Sequence, residues 1–288
     1  AEARVGTCVD GRYALDAILG RGGMGVVYAG RHVGIGKPVA LKVLHPHRAR
    51  DEGALTRFLK EARAASAAGS PHIVDVTDYG TLEGGTAYLV MELLEGESLA
   101  RRLASRGRLP LAEVVAVGVQ LARGLAAAHA AGIVHRDLKP DNVMLVPHGG
   151  PGEELVKIVD FGIAKVDAAG DDGVAGTPHY MAPEQAAGGE TDGRTDVYAV
   201  GVMLYELATG TRPFDAETPL GVLARHAHGD YVPASERQRE LPRAFDGVLA
   251  RCLAKDPAQR WPTATALEEA LLAVVAPKRS RRRWVPVA

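Results

Sequence analysis

The chain has 288 residues, 47% hydrophobic and 24% charged, with a formal net charge of −1. That is apolar material for one large domain or two lobes, and the even charge argues against nucleic acid as a partner. Cys8 and Cys252 stand in no metal-ligand spacing and are expected as free thiols. No signal peptide and no membrane-spanning apolar run is recognised, and the start at Ala1 without methionine suggests a fragment.

Residues 12–44 alternate glycine-rich turns with short β-branched runs such as GVVYAG and PVALKVL, which predicts strands and hairpins. Residues 51–68 are rich in helix formers, with Asp51 and Glu52 suited to a helix N-terminus and Gly69 and Pro71 to its stop. Residues 72–91 return to strand character, ending in TAYLVMEL. After EGES the period changes. Residues 111–131 carry apolar side chains at helical spacing, with Gly132 as C-terminal cap. Residues 196–209, DVYAVGVMLYELAT, are apolar on nearly every face, so that helix should be buried all round. Two more amphipathic helices are expected at 244–254 and 264–275.

Gly20, Gly22 and Gly25 in LGRGGMGVVY are spaced to close a backbone over a phosphate chain. A strand follows them, not the helix of a dinucleotide fold. A plain glycine-rich hairpin is the alternative for this motif alone. Lys42 in VALK lies inside an apolar strand and needs an anionic partner, either a nucleotide phosphate or a carboxylate. Glu61 is the candidate carboxylate, with Glu52 as competitor. In VHRDLKPDN, Asp137 could accept a hydroxyl proton, and Lys139 could neutralise a phosphoryl group. Asn142, the sole asparagine of the chain, could offer a neutral oxygen to a divalent ion. Asp160, in DFG, would add a charged oxygen to the same hard-oxygen site, which suits Mg²⁺.

In order along the chain stand Gly20-x-Gly22-x-x-Gly25-x-Val27, Val39-Ala-Leu-Lys42, His135-Arg-Asp137-Leu-Lys139-Pro-Asp-Asn142, Asp160-Phe-Gly162 and Ala182-Pro-Glu184. This set, over roughly residues 12–275, resembles the catalytic domain of bacterial eukaryotic-like (Hanks-type) serine/threonine protein kinases. The resemblance implies an α+β bilobal kinase fold, with a small mainly β N-lobe carrying one key helix and a larger mainly α C-lobe. The lobes would be 12–91 and 97–276, joined by a hinge at 92–96.

By resemblance, Leu19 and the three glycines cover ATP, Lys42 holds its α- and β-phosphates, and Glu61 orients Lys42. Asp137 positions the substrate hydroxyl and accepts its proton, and Asn142 and Asp160 hold Mg²⁺. Val27 and Ala40 would roof the adenine, Met144 would floor it, Met91 would be the gatekeeper, and the backbones of Glu92 and Leu94 would pair with it. Lys139 implies a serine or threonine acceptor. Thr177 would bond Asp137 and Lys139 rather than act as a switch. Glu184 and Arg260 would form a buried ion pair, and Asp196 would anchor the catalytic loop. His135 would be a packing residue and not the base. Implied partners are ATP and protein substrates, with autophosphorylation and a possible homodimer.

Two segments depart from a bare kinase. No serine or threonine stands between Phe161 and Thr177, where related chains carry a phosphate that Arg136 receives. Asp171 or Asp172 could substitute in part, or form only a solvated turn. The tail, PKRSRRRWVPVA, has five basic residues in six positions before Trp284. Residues 277–288 resemble the cytoplasmic flank of a membrane helix, which would make this a cytoplasmic catalytic domain anchored through a segment absent here. His226 and His228 are expected on an exposed helix end. A pseudokinase and a small-molecule phosphotransferase are the rivals. The intact Lys42, Asp137, Asn142 and Asp160 oppose the first, and GTPHYMAPE opposes the second.

Overall fold

The structure is a computed structural model that describes residues 4–23, 25–45, 69–82, 85–150, 152–160 and 178–276. The change of period near residue 95 divides it into a sheet and a helical body. Strands β1 (Cys8–Val9), β2 (Tyr13–Arg21), β3 (Gly25–His32), β4 (Pro38–Leu44), β5 (Val76–Thr81) and β6 (Ala87–Glu92) form one antiparallel sheet, ordered β1-β2-β3-β4-β6-β5. β4 is buried on both faces, whereas the edge strand β5 alternates, as a half-solvated strand must. The sheet takes in Cys8–Val9, upstream of the boundary expected at residue 12. Leu15, Tyr28, Leu41, Tyr88 and Val90 fill its core.

The larger body contains α1 (Leu99–Arg106), α2 (Leu111–Ala130), α3 (Pro183–Ala186), α4 (Gly193–Thr209), α5 (Pro219–His228), α6 (Ala234–Arg237), α7 (Arg243–Cys252) and α8 (Ala264–Val275). A small sheet of β7 (Glu97–Ser98), β8 (Val143–Pro147) and β9 (Glu154–Ile158) lies beside them. α2 ends where Gly132 turns left-handed at φ 75°, letting the Gly132 and Ile133 N–H groups donate back to His129 and Ala128. α2 is long and apolar enough to cross a membrane, but it packs in the core of this body through Val114, Leu121 and Leu125. α4 starts at the Asp192 side chain, which accepts from the Arg194 N–H, and it is buried from Thr195 to Thr209 as its composition requires.

Among the described residues, two backbone connections join the bodies. One is the chain from β6 through Leu93 to β7. The other is a backbone pairing in which Val74 donates to Ile158 and Ile158 to His72. The space between is lined by a third apolar cluster built on Ala40, Val74 and Met91.

Candidate active site

The glycine-rich turn joins β2 to β3. At Gly25 a Cβ would stand 2.1 Å from the Val43 carbonyl oxygen, so β4 can pair there only with glycine. At Gly20 a Cβ would meet nothing within 4 Å, and at Gly22 only the Gly25 oxygen at 4.0 Å. The first two glycines therefore leave open space above the sheet, and the third serves strand packing. Leu19, at the end of β2, is 54% exposed.

Ala40 and Met91 pack with the half-buried Val27, Leu94 and Val159 in the cluster between the bodies. Four of the residues expected around a base thus share one apolar surface. Met144, half-buried on β8, is not among its members. Leu94 makes no backbone–backbone hydrogen bond among the described residues, which leaves its N–H and C=O available. The Glu92 side chain accepts from the Asp75 N–H at 2.8 Å and from Lys157 on β9. Lys157 ties the hinge to the helical body; it sits 65 residues away in sequence, and no local pattern announces it.

Lys42 on β4 is buried, and its Nζ lies 2.9 Å from Asp160 Oδ1. An ammonium in an apolar strand has thus found a carboxylate from the other body. Asp160 sits at φ 54°, a conformation few non-glycine residues adopt.

The loop from His135 to Asn142 is held from below. Asp196, buried on α4, accepts from the His135 N–H at 2.8 Å, the Arg136 N–H at 2.9 Å and His129 Nε2 at 2.8 Å. His135 Nδ1 accepts from the Asp137 N–H, so Nε2 carries the proton and donates to the Val159 carbonyl. Complete burial drives the His135 pKa down, and the ring is a neutral bracket rather than a base. Asn142 Nδ2 donates to the Asp137 carbonyl at 2.8 Å, and Asn142 O accepts from the Val159 N–H at 2.9 Å. Lys139 Nζ stands 3.4 Å from Asp137 Oδ2. Asp137, Lys139 and Asn142 are therefore gathered in one loop, and Val159 couples that loop to Asp160.

Asn142 and Asp160 offer one amide oxygen and one carboxylate. The Asn142 amide nitrogen is committed to Asp137, and its oxygen has no partner among the described residues. Among those residues no group of three or more His, Cys, Asp or Glu side chains could hold a metal. This donor set fits a small hard cation that draws its other ligands from water and phosphate, as Mg²⁺ does.

Glu184 and Arg260 form a bidentate pair at 2.7 and 2.8 Å, with Arg260 fully buried. Thr195 also donates to Glu184, and the Ala254, Lys255 and Arg194 carbonyls take the remaining guanidinium donors. Burial opposes the Glu184 charge, but hydrogen bonds from Arg260 prevail and hold its carboxyl below the usual range. Tyr180 donates to Glu206, which Arg212 also holds.

His226 corrects an expectation. It lies at the end of α5 but is completely buried, bonded through Nδ1 to the Tyr198 hydroxyl and packed on Phe214. The α4 face it meets is distant in sequence; His228 is exposed as expected. Glu61, Thr177, Asp171, Asp172 and the tail at 277–288 lie outside the described residues.

Residues 13–272 match the family model described as protein kinase domain. The chain is 38% identical over 289 residues to the serine/threonine-protein kinase pkn3 of Myxococcus xanthus, covering 97% of this chain and 52% of that protein. It is 40% identical over 270 residues to PknL of Mycobacterium tuberculosis, covering 92% and 66%. These relatives are longer than the chain. Among solved structures, the PknI kinase domain of Mycobacterium tuberculosis superposes with a TM-score of 0.73 at 32% identity, covering 93% of this chain and 98% of that one.

Proposed function

The chain belongs to the bacterial Hanks-type serine/threonine protein kinases, and from that premise we propose that it transfers the γ-phosphoryl group of Mg·ATP to serine or threonine hydroxyls of proteins, itself included. The observation that carries the reading is the gathering of Asp137, Lys139 and Asn142 in one loop, coupled through Val159 to Asp160.

The residues divide the work. Adenine lies against Val27, Ala40 and Met91, with Met144 beneath it and the backbones of Glu92 and Leu94 at its edge. Gly20 and Gly22 let the turn settle on the phosphates. Lys42, paired with Asp160, draws the α- and β-phosphates into line, and Glu61 orients it. Asp137 holds the acceptor hydroxyl in line with the γ-phosphorus and takes its proton as the new O–P bond forms. Lys139 offsets charge on the transferring group. Asn142 and Asp160 would hold Mg²⁺, which supplies charge neutralisation of the phosphates when bound. Catalysis by this machinery is chiefly positioning and fixed electrostatics.

For the protein as a whole, we propose that the basic run at 278–283 lies at the cytoplasmic face of a membrane, continuing into a segment beyond residue 288. Flotation of the full-length protein with anionic vesicles, and its release on removal of that segment, tests this.

Phosphoamino-acid analysis of a generic acceptor such as casein, after incubation with labelled ATP, tests the activity. Label on serine and threonine supports the reading. Casein unlabelled by this chain at any metal concentration overturns it.

A further inference from the structure

Arg136 precedes the proposed base Asp137, and its backbone is fixed on both sides. Its N–H donates to Asp196 and its carbonyl accepts from Gln185 Nε2 at 2.8 Å. Its φ is 66°, in the left-handed region. Only the guanidinium is left to respond to a ligand. Its Nε donates to Thr191 Oγ1 at 3.0 Å, and its two Nη groups have no partner among the described residues. Thr191 is half-buried at the end of the exposed stretch 186–190, AAGGE, just before Asp192 caps α4. A threonine hydroxyl thus stands beside an arginine fork whose Nη donors are unpaired among the described residues.

We propose that Thr191 is a phosphorylation site whose phosphate is received by Arg136. A phosphothreonine carries a charge of about −1.5 to −2 and three acceptor oxygens, which suits a bidentate guanidinium. The segment from 161 to 176 contains no hydroxyl residue that could supply this charge, so the arginine beside the base takes it from Thr191. Glu190 and Asp192 flank the site. Asp192 is paired with Arg194, which leaves Glu190 as the unpaired flanking carboxylate among the described residues, while the Asp196 carboxylate is held by the His135 and Arg136 N–H groups and His129. The phosphoryl donor is ATP held by a second copy of the chain. There the Thr191 Oγ1–P bond forms as the bond from the γ-phosphorus to the β,γ-bridging oxygen breaks. ADP leaves with that electron pair, and the hydroxyl proton passes to Asp137 of the second copy.

The inference rests on the kinase reading, and the test separates the two. Phosphatase-treated chain is incubated with Mg·ATP and casein, and its phosphopeptides are mapped by mass spectrometry. The expected result is phosphate on Thr191 and a severalfold rise in casein turnover after preincubation with ATP. Thr191→Ala should lose both the site and the rise while melting as the parent does, and Thr191→Ser should keep both. Phosphate on casein with Thr191 unmodified would overturn the inference and leave the kinase reading standing. No phosphate on either protein would overturn both.

Discussion

Lys42 Nζ reaches Asp160 Oδ1 at 2.9 Å, so a strand of the sheet is joined to the end of β9 in the helical body. The two groups proposed to handle phosphate charge from opposite lobes thereby share one electrostatic centre. Lys42→Met should remove transfer to casein and weaken ATP binding while leaving the thermal midpoint within a few degrees. Side-by-side titration calorimetry and turnover assays read both effects.

The glycines of the turn should separate by assay. Gly25→Ala forces a Cβ onto the Val43 carbonyl, and overpacking of that kind costs about 1–3 kcal/mol. Gly22→Ala meets no such contact and should fold as well as the parent, with a higher KM for ATP. Denaturant midpoints and ATP kinetics on the two variants distinguish the structural glycine from the one proposed to face the ligand.

Glu184 and Arg260 should matter mostly for folding. Removing one partner leaves a buried charge uncompensated, at a cost of about 3–5 kcal/mol. Arg260→Met is therefore expected to melt far below the parent. Changing Glu184→Leu as well should recover part of the loss, as urea unfolding would record.

Stability should fall in mild acid. Burial lowers the His226 pKa to about 4 from an ordinary 6.5, so the folded state binds fewer protons than the unfolded chain between these values. The resulting stability is fully present above pH 6.5 and disappears as pH falls through the folded value. Its size is about 3 kcal/mol at most. Buried His72 and His135 and half-buried His179 shift in the same direction, so the wild-type midpoint drops with several histidines together. His226→Phe should show a shallower decline in melts run from pH 7.5 to 4.5.

Much of this was legible in the sequence because each motif carries its chemistry within a few residues. The glycine spacing, the lysine in an apolar strand, and the Asp137-to-Asn142 loop all place their groups by local geometry. The all-apolar α4 likewise announced its burial. What stayed hidden depends on pairs made only by the fold. Lys157 meets Glu92 across 65 residues, Arg136 meets Thr191 across 55, and His226 meets Tyr198 across 28. A histidine at a helix end reads as solvated unless the packing of that end on another helix is known. Gly25 and Gly22 look alike in sequence, and only the approach of β4 tells them apart.

The most direct measurement is the single-turnover rate of phosphoryl transfer to casein by the chain and by Asp137→Asn, at saturating Mg·ATP. Replacing the proposed base while keeping its shape should lower the rate by about 10²–10⁴-fold with ATP affinity unchanged. An Asp137→Asn chain that transfers phosphate as fast as the parent would contradict the assignment of this loop as the catalytic centre.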